Sequence, residues 1–290
     1  MQTFVLFAIA GLVAQLVDGS LGMAYGVTST TLLLTAGLAP AAASATVHLA
    51  EIGTTLMSGA AHWRFGNVDW RTIGWIAGPG ALGAFLGALL LSSLPVEGST
   101  PWIAGLLIAL GLYVLLRFTR REPVRTARKV RSAFLVPLGL VAGAMDAVGG
   151  GGWGPIGTST LLASGRLEPR KVVGSVDTAE FAVTIGGSAG FLVALSSADI
   201  HLLEAAALLA GGLVAAPLAA WLVRVLPTRI LGAGAGGLIV LTNARTLLGA
   251  VGAPDPWPAV TYTVVIASWA CALLVAVRLT RGRKAWPQPR

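Results

Sequence analysis

Residues Asp146-Ala-Val-Gly-Gly-Gly-Gly-Trp-Gly154 repeat, 128 positions on, the pattern of Asp18-Gly-Ser-Leu-Gly-Met-Ala-Tyr-Gly26. The correspondence extends downstream: Leu38-Ala-Pro40 matches Leu167-Glu-Pro169, Val47 to Glu51 matches Val176 to Glu180, and Leu94-Pro95 matches Leu226-Pro227. A chain built this way must fold as two related units, each interrupted at its glycines. Duplication of a glycine-broken apolar segment is a feature of membrane transporters.

Hydrophobic residues make up 55% of the chain and charged residues 11%, with a mean hydropathy of +0.80, which excludes a soluble globule. Apolar stretches of helix-spanning length occur at 43–62, 72–94, 102–116, 172–195, 202–223, 230–250 and 258–277. Their length and lack of alternation exclude a β-barrel. The apolar N-terminus has no basic flank and runs into Asp18, so a cleaved signal peptide is not expected. The single Cys271 permits no internal disulfide.

Basic residues cluster at Arg117, Arg120, Arg121, Arg125, Arg128, Lys129 and Arg131, and again at Arg278, Arg281, Arg283, Lys284 and Arg290. Both segments are expected in the cytoplasm. Their juxtamembrane position points to topology and lipid headgroups, with no nucleic-acid partner. Walking back from a cytoplasmic C-terminus, the loop at 251–257 falls outside, the turn near Arg224 and Arg229 inside, 196–201 outside, and Arg166 to Lys171 inside. Since 117–131 is also inside, 132–165 must enter and leave on one face. Arms of about 16 and 12 residues fall short of a roughly 30 Å hydrocarbon core, which favours a re-entrant hairpin over two crossings. The Arg64 to Arg71 loop is then inside, the loop at 36–42 outside, and the hairpin at 2–36 opens outward, with the N-terminus outside.

Each unit thus has one hairpin and an odd number of crossings, which turns the second copy upside down. The expected fold is an all-α integral membrane protein of two inverted repeats, each a Gly-broken re-entrant hairpin plus three transmembrane helices, with one extra C-terminal transmembrane helix. The expected divisions are a first repeat at 1–117, a basic cytoplasmic loop at 118–131, a second repeat at 132–250, a C-terminal transmembrane helix at 251–280 and a basic tail at 281–290. A homo-oligomer stays open.

Hairpins entering from opposite faces bring Gly22 and Gly26 together with Gly149, Gly150, Gly151 and Gly154 near the midplane. Helices restarting after each break, at 24–34 and 153–163, direct partly positive N-termini between them, which describes an anion site. Thr28, Ser29, Thr30 and Thr31 in one arm, and Thr158, Ser159 and Thr160 in the other, add hydroxyls. The alternative use of the same residues is close helix packing and hydroxyl bonds within each helix.

Asp18, Glu51, Asp146, Asp177 and Glu180 are carboxylates at or near membrane depth, where such groups are costly. Asp18 matches Asp146, Glu51 matches Glu180, and His48 stands where the second copy has Asp177. The spacing of three places His48 with Glu51, and Asp177 with Glu180, on one helical face. Proton coupling, chiefly through Glu51 and Glu180, is one use of them; for Asp18 and Asp146, capping of the restarted helices is the other. A divalent-cation carrier using His48, Glu51, Asp177 and Glu180 is the rival reading; no resident metal or cofactor is expected. Arg245, beside Asn243, fits a snorkelling cation near a span end. An intramembrane enzyme built on Ser58 and His62 lacks a Gly-x-Ser-x-Gly elbow or HExxH. Trp63, Trp70, Trp75, Trp102, Trp257 and Tyr262 fall near span ends, as interfacial belts do.

The duplicated hairpins, the Asp146 to Gly154 segment, Ser58-Gly-Ala-Ala-His-Trp-Arg-Phe-Gly-Asn-Val-Asp-Trp70 and Gly78-Pro-Gly-Ala-Leu-Gly-Ala-Phe-Leu-Gly87 resemble the TauE/SafE family of sulfite exporter proteins over nearly the whole chain. The resemblance implies a carrier in the bacterial cytoplasmic membrane for a small anionic substrate, a sulfur oxyanion or organosulfonate, with the two glycine segments flanking its path. The first copy, Gly22-Met-Ala-Tyr-Gly26, is poorer in glycine than the family pattern, so substrate and direction stay open.

Overall fold

The computed structural model describes residues 2–21, 25–119, 131–164, 166–167, 169–196, 200–222 and 228–281. Gly22, most of the basic loop (120–130), the turn around Arg224 with Leu226-Pro227, and the tail from 282 lie outside these. Among the described residues the chain is helical with no strand. In order come α1 (Gln2–Leu21), α2 (Tyr25–Thr35), α3 (Pro40–Arg64), α4 (Trp70–Ser92), α5 (Val96–Thr119) and α6 (Ser132–Gly149). A π-helical turn (Gly154–Thr158) running into α7 (Ser159–Ser164) follows, then α8 (Pro169–Ala194), α9 (Leu202–Leu222), α10 (Thr228–Ala250) and α11 (Trp257–Arg281).

Local chemistry sets several boundaries. Pro40 opens α3, where a missing N–H costs nothing, and Asp69 caps α4 by accepting the Thr72 N–H at 2.8 Å. Gly150 ends α6 with φ of +64°, and the N–H groups of Gly150 and Gly151 both turn back to the Asp146 carbonyl. This left-handed closure suits glycine.

Among the described residues, four helices are long and apolar enough to cross a membrane: α4, α5 from Gly98, α6, and α11 to Thr280. Helices α3 and α8 are longer, at 25 and 26 residues, yet carry Glu51, Asp177 and several buried hydroxyls, which dilute the apolar character expected of them. Their polar faces turn inward while leucines, valines and the end-placed Trp63, Trp70, Trp75, Trp102 and Trp257 remain exposed. The first arm of the second hairpin, α6, has 18 residues where about 16 were expected, which makes it long enough to cross a membrane, and α1 has 20. The second arms are short: α2 has 11 residues, about 16 Å of rise, roughly half a hydrocarbon core.

The most extensive helix contacts join the first half of the chain to the second. Helix α1 lies against α9, α4 against α6 and α8, α3 against α8 and α9, and α5 against α10. Helices α3 and α8 run antiparallel, since His48 meets Gly187, Gly59 meets Thr178 and Asn67 meets Gly174. Helices α5 and α10 do likewise, with Gly111 at Ile239, Gly236 at Leu115 and Gly232 at Phe118. Small residues permit these approaches, as in other membrane bundles. A Cβ on Gly143 of α6 would strike the Gly80 carbonyl of α4, backbone that cannot swing aside. Gly143→Ala is therefore expected to lower stability by about 1–3 kcal/mol, read as a fall in the thermal unfolding midpoint of the detergent-purified protein; an unchanged midpoint would show that the α4–α6 contact is looser than this.

Candidate functional site

Both glycine breaks are held by the aspartate that precedes them. Asp18 Oδ1 accepts the Tyr25 N–H at 3.2 Å, and Asp146 Oδ1 accepts the Trp153 N–H at 2.9 Å, each across seven positions. Each carboxylate thereby satisfies a donor at the restart of the chain. The aromatic residue so held is itself an anchor. Tyr25 donates its hydroxyl to the Leu208 carbonyl of α9 at 3.3 Å, and Trp153 donates Nε1 to the Val176 carbonyl of α8 at 2.9 Å, with its ring over Gly80. Sequence reading missed Tyr25 and Trp153. Their matched positions directly after the two breaks were the available signal.

The two breaks meet. A Cβ on Gly26 would lie 2.5 Å from the Gly150 carbonyl oxygen, 2.6 Å from Gly151 Cα and 3.0 Å from Glu51 Oε1, and one on Gly151 would strike the Val27 amide. Thr30 Oγ1 donates to the Gly150 carbonyl at 2.8 Å and Ser44 Oγ to the Ala147 carbonyl at 2.6 Å. Asn243 Nδ2 of α10 reaches Thr31 Oγ1 at 2.8 Å, a link that separates Asn243 from its neighbour Arg245, which is exposed. Thr28 Oγ1 is buried without a hydrogen-bond partner, and Ser29 is buried beside it. Gly149, Gly154, Thr158 and Ser159 are also buried at this junction of α6, the π-helical turn and α7. Gly22 lies outside the described residues.

His48, wholly buried on α3, donates Nδ1–H to the Ser44 carbonyl at 2.9 Å, since a carbonyl oxygen can only accept. Its Nε2 lies 3.3 Å from Asp146 Oδ2, a contact between the halves. Neither atom is aligned for a hydrogen bond, and Glu51 Oε1 is equally without a partner. Ligand atoms of His48, Glu51 and Asp146 lie within 4.8 Å of one another. The four-residue cation set expected from sequence is thus split: His48 faces Asp146, while Asp177 faces His62 Nε2 at 3.9 Å. Helices α1, α3 and α8 enclose a narrow crevice lined by Gln15, Asp18, Glu51, Ser58, Asp177 and Glu180, with Tyr25 and two threonines completing it. The wall holds four carboxylates and, among the described residues, no Lys or Arg.

An all-helical bundle with helices long and apolar enough to cross a membrane, whose polar groups converge inside it, defines a multi-pass membrane protein. The family model for the sulfite exporter TauE/SafE matches residues 7–246. A probable membrane transporter protein of Bacillus subtilis (strain 168), YtnM, is 48% identical over 277 residues, covering 94% of this chain and 92% of that protein. A second from the same organism, the probable membrane transporter protein YdhB, is 29% identical over 148 residues, half of this chain and 60% of its own. No solved structure matches this chain. The chain belongs to the TauE/SafE family of sulfite exporters.

Proposed function

We propose that this protein carries a small sulfur-containing oxyanion or organosulfonate, sulfite-like in charge and size, across the bacterial cytoplasmic membrane by alternating access. The observation that carries the reading is the meeting of two helix breaks from the two halves, Gly26 against Gly150 and Gly151, with the buried hydroxyl of Thr28 beside them. Antiparallel pairing of α3 with α8 and of α5 with α10 supports inverted repeats, and the short second arms support re-entrant hairpins. In this reading the substrate sits at the tips, contacted by Gly26, Thr28 and Ser29 from one hairpin and Gly149, Gly150, Gly151, Gly154, Thr158 and Ser159 from the other. Thr30 holds the tips together through its bond to Gly150. The N-terminus is outside and the C-terminus cytoplasmic.

The crevice that Glu51 and Glu180 line, beside Asp18 and Asp177, is the proposed proton route, because carboxylates without a cationic partner need protons or cations to persist at this depth. The test is flux of labelled sulfite, sulfate and a sulfonate into proteoliposomes, with and without an imposed pH gradient, for wild type and Glu180→Gln. Wild type is expected to show saturable flux accelerated by the gradient, and Glu180→Gln to exchange substrate without acceleration. Flux of manganese or cobalt with no oxyanion flux would overturn the anion reading; an equal gradient response in Glu180→Gln would remove the proton route.

A further inference from the structure

We propose that His48 Nε2, Glu51 Oε1 and Asp146 Oδ2 form a binding site for one divalent transition-metal ion at the junction of the two halves. Three observations converge on it. Each of the three atoms is buried and makes no hydrogen bond, an expensive state for isolated polar groups. One ligand atom from each of the three residues lies within 4.8 Å of the other two. The 3.3 Å between Nε2 and Oδ2 equals the separation of about 3.3 Å expected for two ligands roughly 2.0–2.1 Å from one ion at a tetrahedral angle.

The supporting contacts are those a ligand set requires. Nδ1 of His48 donates to the Ser44 carbonyl, which fixes the ring and leaves the Nε2 lone pair facing Asp146 and Glu51. The other oxygen of Asp146 is held by the Trp153 N–H, so the carboxylate cannot rotate freely. Gly187 of α8 lies against the Cδ2 and Nε2 edge of the imidazole, where it leaves room that a side chain would fill, and Phe191 packs edge-on to the ring at 5.6 Å. One imidazole nitrogen and two carboxylate oxygens, without thiolate, suit manganese, iron or zinc in the divalent state and leave positions open.

The site has a consequence for the carrier, which rests on the function proposed above. An oxyanion at the tips would otherwise approach Glu51 and the acid-lined crevice with no Lys or Arg among the described wall residues. An ion held here supplies positive charge next to Gly26, where Glu51 Oε1 already points.

The experiment is metal analysis of the chelator-treated, detergent-purified full chain after re-equilibration with manganese, followed by manganese titration monitored by electron paramagnetic resonance. Wild type is expected to hold about one ion per chain, with affinity reduced tenfold or more in Glu51→Gln and Asp146→Asn. Glu204→Gln is the control, because it alters an acid beside a more exposed histidine, His201, 3.6 Å away, and should bind like wild type. Thermal unfolding with and without manganese covers variants that fold poorly: the ion should raise the midpoint of wild type and not of Glu51→Gln. No stoichiometric binding, or binding unaffected by both ligand substitutions, overturns the site. Metal bound without oxyanion flux would remove the transport reading and leave the site standing; oxyanion flux at full rate in metal-free protein would remove its role in transport.

Discussion

Gly151→Ala is expected to abolish substrate flux, lowering it more than tenfold while the chain still inserts into the membrane. A methyl group there would strike the Val27 amide and the Gly26 carbonyl carbon, so both neighbours are backbone and neither can rotate away. The residue across the contact is no more tolerant, since Gly26 faces Gly150 and Gly151 at 2.5–2.6 Å from its own missing Cβ. Separation of the tips would also stretch the Thr30 bond to the Gly150 carbonyl. The comparison that isolates the effect is Gly249→Ala, on α10, where nothing lies within 4 Å of an added Cβ. Flux in proteoliposomes, normalised to inserted protein, should fall for Gly151→Ala and stay at wild type for Gly249→Ala. Retention of full flux by Gly151→Ala would mean that transport does not depend on the contact between the two breaks.

Asp146→Ala is expected to cost about 1.5–5 kcal/mol of stability, more than Asp18→Ala, although the two residues occupy matching positions. Both aspartates cap a restarted segment, a role worth about 0.5–2 kcal/mol each. Asp146 alone also faces the buried imidazole of His48. Its removal takes the 3.3 Å contact away from that buried ring, which adds about 1–3 kcal/mol. Asp146→Asn keeps an oxygen for the Trp153 N–H and should recover the capping part only. Unfolding midpoints of the three variants in one detergent decide this: Asp146→Ala lowest, Asp146→Asn between it and wild type, Asp18→Ala shifted least. Equal shifts for Asp146→Ala and Asp18→Ala would show that the His48 contact contributes nothing.

The helix breaks were legible because they are local. Glycine runs beside an aspartate place the ends of α1 and α6 within the segments expected, and the restarts at Tyr25 and Gly154 fall within one position of those expected. The spacing of three also held its meaning: Asp177 and Glu180 line one crevice, while His48 and Glu51 turn toward the same junction. Partners across the halves were not legible. Ser44 with Ala147, Thr30 with Gly150 and Asn243 with Thr31 are separated by 103, 120 and 212 positions, and no local pattern encodes such distances. The pairing of His48 with Asp146 rather than Asp177 belongs to the same group. It depends on α3 crossing the second break, while Asp177 lies two to three turns away along α8 from the Gly187 that meets His48.

The sequence by itself determined that this is a helical membrane protein and where its helices break, because burial in lipid, glycine conformation and aspartate capping act over a few residues and leave their signature in composition and spacing. Only the tertiary structure decided which buried groups meet. Helix periodicity fixes the face on which a side chain lies, whereas its partner is set by the packing of α3, α6 and α8 against one another, where small residues let backbones approach and bring His48, Glu51 and Asp146 from different parts of the chain to one point.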